Sequence, residues 1–324
     1  MADPGTVAVI GIGRAGLLHA RAAVAAGLRV SAYSSTTVRS DRAIAFAAEF
    51  PEVPRIEIGD EKLCESAQLL VVALPPEVAH EVVPRFVRDA HQLLVEKPLA
   101  LSTSRIEAIA ETARTSGCRV TVGYNRRVYP AVARAREILQ SDPPQTVEVT
   151  IVEDADFLVR TKGLKSHNHY LRHGASSHML DLSNFLFGQQ EVIDVRASSS
   201  RLNDWFTDYQ FESRGSKGEH IITTIDAGER SRRGIRIVTA SGSRIEIAPL
   251  ERLTVPVVAS LSNGTDDSVR GVFDYPTSYQ ESFFAQMKLV ATGQVDQLHG
   301  INDSLSLSKL IDVLELASRE LRHD

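Results

Sequence analysis

The sequence predicts an α/β protein in two parts: an N-terminal Rossmann-type, doubly wound parallel sheet, then a C-terminal α/β domain with a mostly antiparallel open sheet. Three observations carry that prediction. Short β-branched runs alternate with helix-like segments up to about residue 123, as a parallel sheet covered on both faces requires. Beyond residue 125 the runs lengthen and alternate, with glycines punctuating the turns. The 324 residues suffice for two domains of roughly 150 each. The boundary is expected between residues 123 and 124.

Residues 6–33 read as one βαβ unit. Thr6 to Ile10 is a strand, Gly11-Ile12-Gly13-Arg14-Ala15-Gly16 a turn, and Ala15 to Ala26 an Ala- and Leu-rich helix closed by Gly27. Val30 to Tyr33 is the second strand. Leu69 to Leu74, Leu93 to Val95 and Arg119 to Gly123 follow as strands, with helices between them. Ser104 and Glu107 read as a capping box. Ala131 to Leu139 is a helix. Strands are expected at Thr146–Val152, Val192–Ser198, Tyr209–Glu212, His220–Ile225, Ile235–Thr239 and Ser243–Ile247. One helix, Ala175 to Phe187, interrupts them. Glu281 to Ala291 and Asp303 to Leu321 close the chain, the last with Leu307, Leu310, Ile311, Leu314 and Leu321 on one stripe.

Composition excludes several classes. A net charge of −5 lacks the footprint of a nucleic-acid binder. The cluster Arg230, Arg232, Arg233 and Arg236 reads as a solvated turn and strand. Two cysteines make no disulfide framework or Cys-rich zinc site, so reduced structural thiols are expected. No apolar run approaches the ~18 residues of a membrane span, and the N-terminus shows no signal-peptide pattern. A cytoplasmic protein is expected. Only seven of the 36 basic residues are lysines. Arginine keeps its proton in a protein, whereas a buried lysine can give it up.

The glycine turn sits between a strand and a helix, the context in which GxGxxG gains meaning. Gly11 permits the tight turn, Gly13 lets a pyrophosphate approach the backbone, and Gly16 brings helix and strand together. The helix N-terminus then faces the phosphates. A dinucleotide site for NAD ordinarily carries an acid at the end of the second strand. Here that strand ends Tyr33-Ser34-Ser35-Thr36-Thr37, with Arg39 beyond. Hydroxyls and a guanidinium suit a 2′-phosphate, so NADP is expected, with NAD possible.

Four stretches together resemble the Gfo/Idh/MocA oxidoreductases: GIGRAGLLHA at 11–20; Ala73-Leu74-Pro75-Pro76 with His80; Glu96-Lys97-Pro98-Leu99-Ala100; and Gly123-Tyr124-Asn125-Arg126-Arg127 before Pro130. The segment His178-Met179-Leu180-Asp181 is similar to that family's H-x-x-D helix. To residues 11–16, Ser34, Ser35, Thr36 and Arg39, read above from the turn and the strand end, the resemblance adds Leu74, Pro75, Pro76, His80, Glu96 and Lys97 as the expected cofactor set. It also implies that Lys97 and His178 lie near the nicotinamide, and that the second domain's open sheet joins copies into a homodimer or homotetramer. A small-molecule substrate is expected, with no nucleic acid, membrane or metal partner.

Chemistry independently asks for such groups. Oxidising an alcohol sends a hydride to the cofactor and a proton to a base. A free lysine, with a pKa near ~10.4, is a poor base at neutral pH; burial and the cationic nicotinamide both lower it. Lys97 follows an apolar strand at the carboxyl edge where such sheets bind ligands. His178 can relay the proton or orient a hydroxyl. The family commonly has an Asp four residues before this His, where this chain has Gly174. Either His173, Asp181 or Lys97 alone takes its part, or Gly174 opens space for a bulkier substrate. Lys162, His169, His173, Tyr124, Asn125 and Arg126 are candidate substrate contacts. His169 and His173 share a helical face as some zinc sites do, without a nearby Cys.

The leading expectation is an NADP(H)-dependent oxidoreductase acting on a sugar, keto-sugar or cyclitol. Reduction of an imine or conjugated C=C, and a non-catalytic nucleotide sensor, are the alternatives.

Overall fold

The computed structural model describes residues 5–35, 40–162, 167–257 and 269–320, excepting the side chains of 161, 162, 167–169, 257 and 269. The strands are β1 (Thr6–Ile10), β2 (Arg29–Ser34), β3 (Leu69–Val72), β4 (Gln92–Val95), β5 (Arg119–Val122), β6 (Pro144–Asp154), β7 (Glu191–Ser199), β8 (Thr207–Arg214), β9 (His220–Gly228), β10 (Arg232–Thr239), β11 (Arg244–Ile247), β12 (Arg252–Val257), β13 (Val269–Asp274) and β14 (His299–Gly300). The helices are α1 (Arg14–Ala25), α2 (Asp41–Glu49), α3 (Lys62–Glu65), α4 (Pro76–Asp89), α5 (Thr103–Ser116), α6 (Pro130–Ser141), α7 (Ala155–Lys162), α8 (His167–His173), α9 (Ser176–Phe187), α10 (Tyr279–Ala291) and α11 (Ile301–Glu320). They form two compact units: Met1–Val128 with Ser278–Leu305, and Tyr129–Thr277 with Ser306–Asp324.

The first unit is the doubly wound sheet, in the order β14-β5-β4-β3-β1-β2. Its strands run parallel except β14, which pairs antiparallel with β5. All four residues of β3 are buried, as covered central strands demand. On one face α1 packs against β1 and β3 and α10 packs against α1, with Leu18, Ala22, Phe283, Met287 and Val290 in one buried cluster with Val7, Val9 and Val71. Each large apolar side chain so buried contributes about 1.5–3 kcal/mol.

One local expectation fails. Helix α5 begins at Thr103 with Ser102 in extended backbone before it, and no side chain caps it. Ser104 is already helical, so it cannot cap, because a capping hydroxyl acts from a non-helical residue. A true capping box stands at α10: Ser278 Oγ accepts the Glu281 N–H at 3.1 Å, and the Glu281 carboxylate accepts the Ser278 N–H.

The second unit is built on an eight-stranded sheet, β13-β12-β11-β10-β6-β9-β8-β7. It is antiparallel except for the central pair β6 and β9, which runs parallel. Strict alternation sets its faces: Val147, Val149 and Ile151 are buried while Thr146, Glu148 and Thr150 are exposed. Helices α6, α7 and α9 lie against strands of this sheet. On the open face, Arg236 bonds Glu246 at 2.9 Å and lies 3.9 Å from Glu148. Three strands (β12, β13, β14) and two helices (α7, α8) join those expected. Polar sequence around 155–173 hides the helices, and β14 is two residues long.

Cys64 and Cys118 are both free thiols; burial pushes the Cys118 thiol up to about 12. Among the described residues, no helix is long and apolar enough to cross a membrane. No three potential ligands cluster as a metal site among them. The His169 side chain falls outside the description.

Candidate active site

The glycine turn is a matter of close contact. Gly11 has φ +89°, and a Cβ there would come 2.4 Å from the Ala73 carbonyl oxygen and 2.9 Å from Leu74 Cδ2. A Cβ on Gly16 would lie 1.8 Å from the Gly11 carbonyl oxygen, so α1 rests directly on the turn. Gly13 is different: the nearest atom to a Cβ there is an Arg42 guanidinium nitrogen at 3.7 Å. Gly13 is the N-cap of α1, and no side chain caps that helix or places an acid in its first turn. Ile12 is buried. Arg14 and Ala15 open the helix, and the Arg14 guanidinium lies 4.9 Å from the centre of the Tyr279 ring. Open space before uncapped N–H groups fits a pyrophosphate.

At the end of β2, Ser34 is buried, and the Ser35 carbonyl accepts two bonds from Arg55, at 2.9 and 3.3 Å. Arg55 also pairs with Glu57 at 2.8 Å. Thr36 and Arg39 lie outside the described residues. Beyond β3, Leu74 touches the glycine turn, Pro75 precedes α4 and Pro76 is its first residue. His80 Nδ1 lies 3.2 Å from the Pro76 carbonyl.

Three of the four motifs meet at Glu96. Its carboxylate lies 2.8 Å from Nε2 of His19, which is fully buried in α1. The same carboxyl sits 3.2–3.3 Å from where a Gly123 Cβ would stand. Phe283 closes over His19, ring centres 4.7 Å apart, and Tyr279 lies on Phe283 at 5.0 Å. Burial raises the Tyr279 phenol, and the Glu96 charge raises it further; Arg14 and Arg126 oppose this. Lys97, half-buried, follows Glu96 at the carboxyl edge of β4, its peptide bond to Pro98 cis. Tyr124 and Asn125 are buried beyond β5, with Tyr124 packed on His299 at 4.2 Å. Arg127 is buried too, bonding Asp303 and His299 at 3.2 Å each.

In the second unit, Lys162 and His169 have side chains outside the description. His173, buried, ends α8, and His178, half-buried, is the third residue of α9. Arg172 ties α8 to α11 by bonds to Ser308 at 2.8 Å and Asp312 at 2.5 Å. Gly174 does not open space. A Cβ there would lie 2.6 Å from the Tyr170 carbonyl oxygen and 2.7 Å from Glu153 Oε1. A carboxylate from β6 fills that volume.

Sequence reasoning missed Arg42, Arg55, Tyr279 and Glu153, none of which stands in a motif. His19 stands inside the first motif, and its spacing from the turn was the available signal.

Residues 6–124 match the model of the Gfo/Idh/MocA family, described as an oxidoreductase family with an NAD-binding Rossmann fold. An inositol 2-dehydrogenase of Rhizobium meliloti (strain 1021) is 23% identical over 249 residues, 76% of this chain and 68% of that protein. Among solved structures, a dehydrogenase from Chromobacterium violaceum superposes with a TM-score of 0.81 at 17% identity, covering 99% of this chain and 98% of that one. An oxidoreductase from Agrobacterium radiobacter, in complex with NAD+, L-tartaric acid and magnesium, gives 0.79 at 16% identity, covering 98% and 97%. With its motifs at 11–20, 73–80, 96–100 and 123–127, the segment 6–124 matches the NAD-binding Rossmann domain of the Gfo/Idh/MocA oxidoreductase family.

Proposed function

We propose that the protein is an NADP(H)-dependent oxidoreductase that moves a hydride between nicotinamide and a polyhydroxylated alcohol or carbonyl, with Lys97 as the acid/base. The observation that carries this reading is the placement of Lys97. It follows a buried strand, and its neighbour Glu96 is locked to the glycine turn's own helix through His19. A lysine at the carboxyl edge of that strand is placed to exchange a proton with a substrate hydroxyl beside the nicotinamide.

The cofactor, when bound, accepts or supplies the hydride. Residues 11–16 hold its pyrophosphate at the N-terminus of α1. Ser34, Ser35, Thr36 and Arg39 read the ribose, joined by Arg42 and Arg55. Neither β2 itself nor Ser35 after it carries a carboxylate, which favours a 2′-phosphate. Leu74, Pro75, Pro76 and His80 line the nicotinamide side with Glu96 and Lys97. When the alcohol is oxidised, Lys97 Nζ takes the hydroxyl proton; reduction returns it. His178 orients the hydroxyl or passes the proton on, and Tyr124, Asn125, Arg126, Lys162, His169 and His173 contact the substrate. The inositol 2-dehydrogenase relative supports a cyclitol or sugar. The open face of the eight-stranded sheet joins copies into a homodimer or homotetramer.

The test begins with NADPH and NADH titrations followed by nicotinamide fluorescence. A screen of inositols, aldoses, keto-sugars and cyclic imines then follows absorbance of the reduced cofactor. Tighter NADPH binding and turnover of a polyol or its ketone are expected. Tighter NADH binding overturns the cofactor assignment, and turnover of imines alone overturns the substrate class. Light scattering on the eluting protein reads the assembly.

A further inference from the structure

One end of the eight-stranded sheet carries an aromatic pocket that the proposed reaction does not use. Strand β6 ends at Asp154 beside Gly228 of β9, and α7 follows it. Strand β8 begins at the same end with Thr207, after the turn 200–206. Both segments are held in place. Asp154 Oδ1 accepts the Phe157 N–H at 2.7 Å and so caps α7. In the turn, the Ser200 N–H donates to the Phe206 carbonyl and the Phe206 N–H to the Asn203 carbonyl, at 3.0 Å each. Phe206 stacks on the buried Tyr170 with ring centres 4.0 Å apart, and the Tyr170 hydroxyl donates to the Thr207 carbonyl. Trp205 stands beside this pair, tilted 73° to Phe206 at 5.7 Å and 78° to Tyr170 at 6.3 Å.

The half-buried indole lines a cavity of about 530 Å³ together with Val159, Asn203 and the exposed Asp156 and Arg160. That volume falls within the roughly 300–1,000 Å³ of small-molecule sites. Asp156 and Arg160 lie one turn apart on one face of α7, with Arg160 Nε donating to the Asp156 carbonyl at 3.3 Å. Asn203 Oδ1 accepts the Trp205 backbone N–H at 3.3 Å, which fixes the amide beside the indole. We propose that this pocket binds a pyranose ring: the sugar's apolar C–H face lies on Trp205, and Asp156, Arg160 and Asn203 bond its hydroxyls. A carboxylate accepts, a guanidinium donates and an amide does both, a set that hydroxyls satisfy. A purely aromatic ligand leaves those groups unpaired, and Asp156 repels a phosphate. The site requires neither cofactor nor hydride transfer.

Trp205 is the single tryptophan of the chain, so its emission reports on the pocket directly. The full chain, without cofactor, is titrated with methyl β-D-glucopyranoside, methyl β-D-galactopyranoside, cellobiose and maltose, with glycerol as the acyclic control. At least one pyranoside should change the emission saturably, with half-saturation at about 0.1–10 mM, and glycerol should not. Saturation-transfer NMR on the same samples should show transfer to the ring C–H protons of that sugar. Asp156→Ala and Arg160→Ala, both at exposed positions, should each weaken binding at least about threefold while the melting temperature holds within about 2 °C. No saturable change in either readout overturns the proposal. An affinity unmoved by both substitutions, or an equal response to glycerol, overturns it as well. The titration needs no turnover, so failure of the proposed reaction shows in the substrate screen and not here.

Discussion

The N-termini of α1 and α9 make an instructive pair. Each is the positive end of a twelve-residue helix, and each begins without a side-chain cap from its own N-cap residue. At α1 the space before Gly13 is open, and no acid stands in the first turn. At α9 the corresponding space is filled by Glu153, which reaches in from β6 to bond Ser176. A helix end with no internal anion is available to an anionic ligand. A helix end already satisfied from inside leaves an anionic ligand no such place. The neighbour thus decides whether the same dipole is open to a ligand.

The largest expected effect tests where the proton chemistry lies. Lys97→Met, and equally Lys97→Arg, should cut turnover at least ~1,000-fold while NADPH binding changes less than about threefold. Steady-state rates on the best substrate of the screen decide this; retained activity would move the acid/base role away from the α1 side. Next, Gly16→Ala should cost about 3 kcal/mol or more, because the new Cβ meets backbone that cannot move aside. Thermal melting reads this as a drop of about 10 °C or failure to fold.

Gly13→Ala separates packing from binding. Its Cβ has room, so the melting temperature should hold within about 2 °C, while NADPH affinity falls at least about tenfold. Normal NADPH binding by that variant would remove α1 as the anion site and erase the contrast with α9. The smallest effect belongs to the rim. Arg42→Gln or Arg55→Gln should narrow the preference for NADPH over NADH by about three- to tenfold, and more so at low salt. Paired titrations at two ionic strengths check it; an unchanged ratio would assign 2′-phosphate recognition to other residues.

Much of the first unit was legible because its chemistry is local. Gly11, Gly13 and Gly16 follow a β-branched strand and precede an alanine-rich helix, and these adjacent residues determine the turn by steric exclusion. Strand β3 reads as a strand from four consecutive apolar residues. The capping box at Ser104 fails for a related reason: its spacing recurs by chance inside a helix, and only backbone conformation distinguishes a cap from an interior serine. The parallel pairing of β6 with β9 was hidden because alternation looks the same in either direction.

The candidate site divides the same way. Sequence alone determined the glycine turn, the apolar strand leading to Lys97, the lack of an acid at Ser34-Ser35 and the glycine at 174. Each is a property of neighbouring residues, readable because sterics and burial act over a few bonds. Tertiary structure alone decided that His19 engages Glu96 across 77 residues and that Tyr279 lies on Arg14. It also decided that the volume at Gly174 holds the carboxylate of Glu153. Those contacts join residues from separate elements. Which groups meet depends on sheet order and helix packing, and no local pattern encodes them.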